Sequence, residues 1–110
     1  MKKLTINEQI FLIAIWHLKD EAYGIKIRER IIELTGSSMV FGTLYNTLDY
    51  LLKKRYVTSI KKDPEEDSQN RKRVYYTITK QGIEALQAAR ELQFNLWKNI
   101  PDFSLEEKKS

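Results

Sequence analysis

One stretch limits the possible folds of this chain more than any other: residues 42–73, where a helical repeat of leucines runs into two β-rich segments. Turning about 100° per residue, Leu44, Leu48, Leu51 and Leu52 gather on one side of a helix spanning Gly42 to Lys54. Asn46, Tyr50 and Lys53, with Thr43 beside them, gather on the other. One face therefore belongs to a core, and the opposite face carries hydrogen-bonding groups. The following runs, Tyr56 to Lys62 and Arg73 to Ile78, are rich in β-branched and aromatic residues and read as strands. Asp63 to Asn70 between them holds turn formers and charge, so an antiparallel hairpin with a mobile tip is expected. Alternation puts Val74, Tyr76 and Ile78 on one face and Arg73, Tyr75 and Thr77 on the other, and one of the two must meet the helices.

The chain before this stretch supplies two helices. Thr5 and Glu8 have capping-box spacing, which starts a first helix near Ile6 that runs to about Leu18. It is apolar almost all round, from Ile10 to Trp16, and such a helix needs cover on every side. A second subunit is expected to cover part of it. Asp20 is the expected N-cap of a second helix reaching about Leu34, with Thr35-Gly36 as its stop. Ile27, Ile31 and Leu34 form its buried stripe, and Arg28, Glu29, Arg30 and Glu33 its ion-pairing surface. Gly24 either starts this helix or admits a close neighbour. Ser37-Ser38 opens a tight connection to the third helix, giving the helix-turn-helix order in which the second member enters the DNA major groove.

After the hairpin, Thr79 caps a final helix from Lys80 to about Asn99, ended by Ile100-Pro101. Ile83, Leu86, Phe94 and Trp97 follow its period, and Leu92 and Leu96 carry apolar surface around a second side that a two-stranded hairpin cannot cover. This helix is the expected dimer arm. The expected class is thus mainly α with a small β-hairpin: residues 1–79 as a DNA-binding region, 80–100 as a dimerisation helix and 101–110 as a flexible tail, in one compact domain.

Charge points to the partner. Lys53 to Arg73 holds eight basic and four acidic residues, so the whole net charge of +4 sits in this segment. Basic charge on one element is the footprint of a polyanion-binding surface. With no cysteine the chain has neither disulfides nor thiolate metal sites. The apolar run after Met1-Lys2-Lys3 is interrupted by Asn7-Glu8-Gln9 and too short to span a bilayer, so a soluble cytoplasmic protein without a membrane partner is expected.

Ala22-Tyr23-Gly24-Ile25-Lys26-Ile27, Gly42-Thr43-Leu44-Tyr45 with Leu48 and Leu51, and Arg71-Lys72-Arg73-Val74-Tyr75-Tyr76-Thr77-Ile78-Thr79 with Gly82 stand in the order helix, helix, helix, strand, strand, helix. In these residues and their spacing the chain resembles the PadR-like family of winged-helix transcriptional regulators, over nearly its whole length and in the compact form with a short C-terminal helix. The resemblance implies a homodimeric repressor with the third helix in the major groove, the wing along phosphates or the minor groove, and subunits paired by the last helix. It further implies release from operator DNA by an aromatic or drug-like effector. The chain departs from the family pattern at Val40 and Phe41, where a small polar cap and a proline are common, and at Asn46, where proline is common. The first departure weakens the expected helix start, and the second adds a side chain able to read a base.

Asn46 is the expected base reader, since its amide pairs bidentately with adenine; Thr43 and Tyr50 are further candidates for a base edge or a phosphate. Lys53, Lys61, Lys62, Arg71, Lys72 and Arg73, with Tyr23, Ser37, Ser38 and Tyr45, are candidates for phosphate contacts that position the helix. Tyr23 and Tyr45 serve equally well as packing residues, and Asp49 would repel phosphate. Phe11, Trp16, Phe94 and Trp97 are candidates for an effector pocket between subunits or for plain dimer core. Catalysis finds no support: His17 is the sole histidine, the Gly36 to Gly42 spacing lacks the lysine of a phosphate loop, and no cofactor is implied. The competing reading is a winged-helix interaction or ligand-sensing module without specific DNA binding, for which the acidic Glu65-Glu66-Asp67 is the best argument.

Overall fold

The computed structural model describes residues 3–62 and 73–103. Helix α1 spans Ile6–Leu18, α2 Gly24–Thr35, α3 Phe41–Lys53 and α4 Lys80–Trp97, and strands β1 (Val57–Lys62) and β2 (Arg73–Ile78) lie between α3 and α4. The expected order of elements holds, as do the hairpin and its antiparallel pairing, which joins Val57 to Ile78 and Lys62 to Arg73. The expected hairpin tip and the tail after Phe103 lie outside the described residues, as do the candidates Arg71 and Lys72.

The capping box forms at α1: Glu8 N–H donates to Thr5 Oγ1 at 3.1 Å, and Thr5 N–H donates to Glu8 Oε1 at 2.8 Å. α1 is the centre of the structure, packed against α2, α3, α4 and β2. Phe11, Leu12, Ala14, Ile15, Ile27, Leu44, Leu48, Leu51 and Val57 fill one core. Most of the apolar surface of α1 is therefore covered within the chain, which confines the part expected to meet a second subunit to its remaining exposed residues. Ile6 and Trp16 remain more than half exposed.

Helix α2 begins later than expected. Asp20 lies in a 3₁₀ turn, Lys19–Glu21, and Tyr23 is the N-cap, with no side-chain hydrogen bond. The cause is β pairing: Tyr76 N–H donates to the Ala22 carbonyl at 2.8 Å, and Tyr23 bridges Tyr75. Ala22–Tyr23 thus acts as a short third strand beside β2, and these main-chain bonds outweigh the capping preference of Asp20. Gly24 starts α2 and also admits a neighbour, because a Cβ there would run into the Tyr45 hydroxyl. Gly36, in the left-handed conformation at φ 73°, ends α2 as expected. Leu34 does not join the buried stripe and is 46% exposed.

Helix α3 ends in a tight double turn. Tyr56 N–H donates to the Leu51 carbonyl and Arg55 N–H to the Leu52 carbonyl, each at 3.0 Å. This Schellman geometry places Arg55 at φ 64°, a conformation that favours glycine. Thr79 Oγ1 holds it by donating to the Arg55 carbonyl at 2.7 Å. The same threonine caps α4, accepting from Gly82 N–H at 3.0 Å. A Cβ on Gly82 would collide with the Tyr56 carbonyl oxygen, so glycine here lets α4 start against the joint between α3 and β1.

Candidate nucleic-acid interface

Helix α3 divides as its sequence requires. Leu44, Leu48 and Leu51 are fully buried, while Thr43, Asn46 and Lys53 are exposed on the opposite side. Among the described residues, none hydrogen-bonds the Asn46 amide. Tyr50 departs from its expected place: it is half-buried against the core, with the Lys54 ammonium 5.7 Å from its ring. A large ring at the margin of a leucine face gains more from apolar burial than from water, and this takes Tyr50 off the freely exposed reading face.

The start of α3 is held from α2. Val40 caps it without a side-chain hydrogen bond. Arg28, expected on an ion-pairing surface, instead donates from Nε to the Met39 carbonyl at 2.9 Å, and its guanidinium lies 4.9 Å from the Phe41 ring centre. Phe41 stacks on Tyr45 with ring centres 6.5 Å apart. This ladder compensates for the missing polar cap. The other three residues of that expected surface do form ion pairs, Glu29 with Lys26 and Arg30 with Glu33.

Ser37 and Ser38 are exposed in the turn before α3. There Thr35 Oγ1 donates to the Ile31 carbonyl at 2.8 Å and accepts from Ser37 N–H at 3.1 Å.

Pairing register sorts the basic stem of the wing. Val57, Ser59 and Lys61 share a face with Ile78, Tyr76 and Val74, the face that carries the buried residues. Thr58, Ile60 and Lys62 share the other with Thr77, Tyr75 and Arg73. Lys61 and Lys62, grouped together by the sequence, thus emerge on opposite faces. On the outer face Lys62 and Arg73 stand directly opposite each other, a like-charge pair unfavourable in an isolated sheet. Each lies over a tyrosine, Lys62 4.6 Å from the Tyr75 ring centre and Arg73 4.4 Å from that of Tyr23. Tyr23 and Tyr75 meet edge to face at 5.4 Å. Tyr23 therefore packs and at the same time positions a cation. Tyr45 is 45% exposed along its ring while its hydroxyl rests on Gly24.

Behind this surface, burial raises the pKa of the Tyr76 phenol above the usual tyrosine range, and Asp49 and Tyr45 add to the effect.

The aromatic group proposed for a second site separates. Phe11 is fully buried in the protomer core and cannot line a cleft between subunits, whereas Trp16, Phe94 and Trp97 are 52%, 68% and 61% exposed. A groove of about 540 Å³ runs between α1 and α4, lined by the apolar Ile13, Trp16, Ile83 and Leu86 and the polar Gln9, His17, Gln87, Arg90 and Gln93. No cluster of side chains among the described residues is suited to hold a metal ion, and no described helix is long and apolar enough to cross a membrane.

The family model of the transcriptional regulator PadR-like family matches residues 13–88. A PadR family transcription regulator from hypervirulent Clostridium difficile is 24% identical, covering 84% of this chain and 92% of its own, with a TM-score of 0.63. A transcriptional regulator from Clostridium thermocellum is 26% identical over 88% of this chain and 93% of its own, with a TM-score of 0.66. RosR from H. salinarum is 25% identical over 97% of this chain and 87% of its own, with a TM-score of 0.64. No curated protein matches the chain.

Proposed function

This chain belongs to the transcriptional regulator PadR-like family, and from that premise we propose that it is a homodimeric, sequence-specific repressor released from DNA by a small aromatic ligand. The observation that carries the reading is the exposed strip of α3, with the Asn46 amide at its middle, set beside a wing stem whose cations are fixed over tyrosine rings. Asn46 reads adenine, with Thr43 beside it. Lys53, Lys62 and Arg73 grip phosphates, and Lys61, Ser37, Ser38 and the exposed edge of Tyr45 extend that grip. A polyanion lying across the outer face of the wing meets Lys62 and Arg73 together.

The last helix supports the dimer: Phe94, Leu96 and Trp97 are left uncovered on it, near Trp16 of α1 in type and suited to cover by a second copy. The groove between α1 and α4 suits a flat apolar ligand, and Arg90 in its lining suits an acidic substituent.

Selection from a pool of randomised duplexes tests the DNA reading. The full chain should enrich one A·T-containing motif, repeated with the spacing of a dimer, and a pool that stays random would contradict it. Tryptophan fluorescence tests the ligand: aromatic acids should quench Trp16, and an unchanged spectrum over a broad panel would remove the effector from the account.

A further inference from the structure

Gly42 is the second residue of α3, and nothing inside the chain explains it. Its backbone is helical and its φ is not positive, so no unusual conformation demands glycine. A Cβ built on it meets nothing within 4 Å, whereas at Gly24 and Gly82 it would strike Tyr45 and Tyr56. Glycine is the poorest helix former after proline. The chain thus keeps a residue that weakens the first turn of α3 and serves none of its own packing, which leaves something that approaches from outside.

Position indicates what approaches. Residues four apart share a strip of helix, so Gly42 lies one turn before Asn46 on the side away from Leu44 and Leu48. The neighbouring Phe41 ring stacks on Tyr45 and lies against the Arg28 guanidinium. In helix-turn-helix proteins the first residues of the second helix are those that reach base edges.

Resting on the reading of α3 as the recognition helix, we propose that Gly42 determines specificity by lacking a side chain. A base-pair edge next to the adenine paired with Asn46 packs against the bare α3 backbone at this point. A side chain at Gly42 holds the helix away from the groove and moves the Asn46 amide beyond the roughly 2.7–3.2 Å in which its bonds to adenine form.

The test is Gly42→Ala in the full chain, compared with wild type by thermal melting and by fluorescence anisotropy on the selected duplex and on a scrambled one. The melting temperature should stay level or rise, because a better helix former enters open space. Affinity for the selected duplex should fall about tenfold or more while affinity for the scrambled duplex stays within about twofold. Undiminished discrimination by Gly42→Ala overturns this inference alone. A lowered melting temperature also overturns it, by showing that the glycine serves the fold. Wild-type protein that does not distinguish the two duplexes overturns the DNA reading and this inference with it.

Discussion

Arg28 shows how much one side chain decides in so small a domain. Its sequence neighbours Glu29 and Glu33 suggest a surface ion pair, yet its Nε goes to the Met39 carbonyl and its plane to the Phe41 ring, and the start of α3 depends on both. Tyr76 is the titrating residue of the same region. Burial, then Asp49 and Tyr45, disfavour its ionised form, so the folded chain keeps this proton to higher pH than the unfolded chain, whose tyrosines lose theirs near pH 10. The folded state binds more protons there, and stability falls as pH rises. The contribution is intact below about pH 10 and is lost as pH climbs through the folded-state value. Urea unfolding of wild type and Tyr76→Phe at increasing pH should show a smaller alkaline loss in the variant; equal losses would refute the assignment.

At the scale of elements, the wing is docked by Ala22–Tyr23 as well as by its own turn. Tyr23→Ala removes the ring beneath Arg73 and the edge contact to Tyr75. Specific and scrambled duplexes should then both bind more weakly, and the salt dependence should shrink by about one phosphate contact in the slope of log affinity against log salt. A loss confined to the specific duplex would contradict this positioning role. What the sequence revealed of these elements follows from the range of the forces involved. The capping box at Thr5, the leucine face of α3 and the cap at Thr79 are local patterns, and all three form. The start of α2 departs from its local pattern because Asp20 is a good cap only locally, whereas the Tyr76 to Ala22 bond that overrides it joins residues 54 positions apart. In the candidate site the same division applies. The exposed strip of Asn46 followed from helical period, but the opposite facing of Lys61 and Lys62 depends on strand register, and the half-burial of Tyr50 on tertiary packing.

At the scale of the molecule, the chain is extended: its Cα radius of gyration is 17.0 Å, against about 13 Å for a compact chain of this length. The last two turns of α4 contribute to this, since no residue of α4 after Ala89 is buried and Phe94, Leu96 and Trp97 stand in solvent. Sedimentation should give twice the chain mass of 13.1 kDa, and Phe94→Glu with Trp97→Glu should reduce it to a monomer with weaker operator binding; a wild-type monomer at working concentration would refute the dimer. The central claim is that the Asn46 face of α3 reads base pairs while the wing stem only grips. Fluorescence anisotropy of wild type and Asn46→Ala on selected and scrambled duplexes across a salt series tests it most directly. Asn46→Ala should lose about 1–3 kcal/mol on the selected duplex, bind the scrambled one as wild type does, and keep the wild-type salt slope. Equal losses on both duplexes, or none on either, would contradict it.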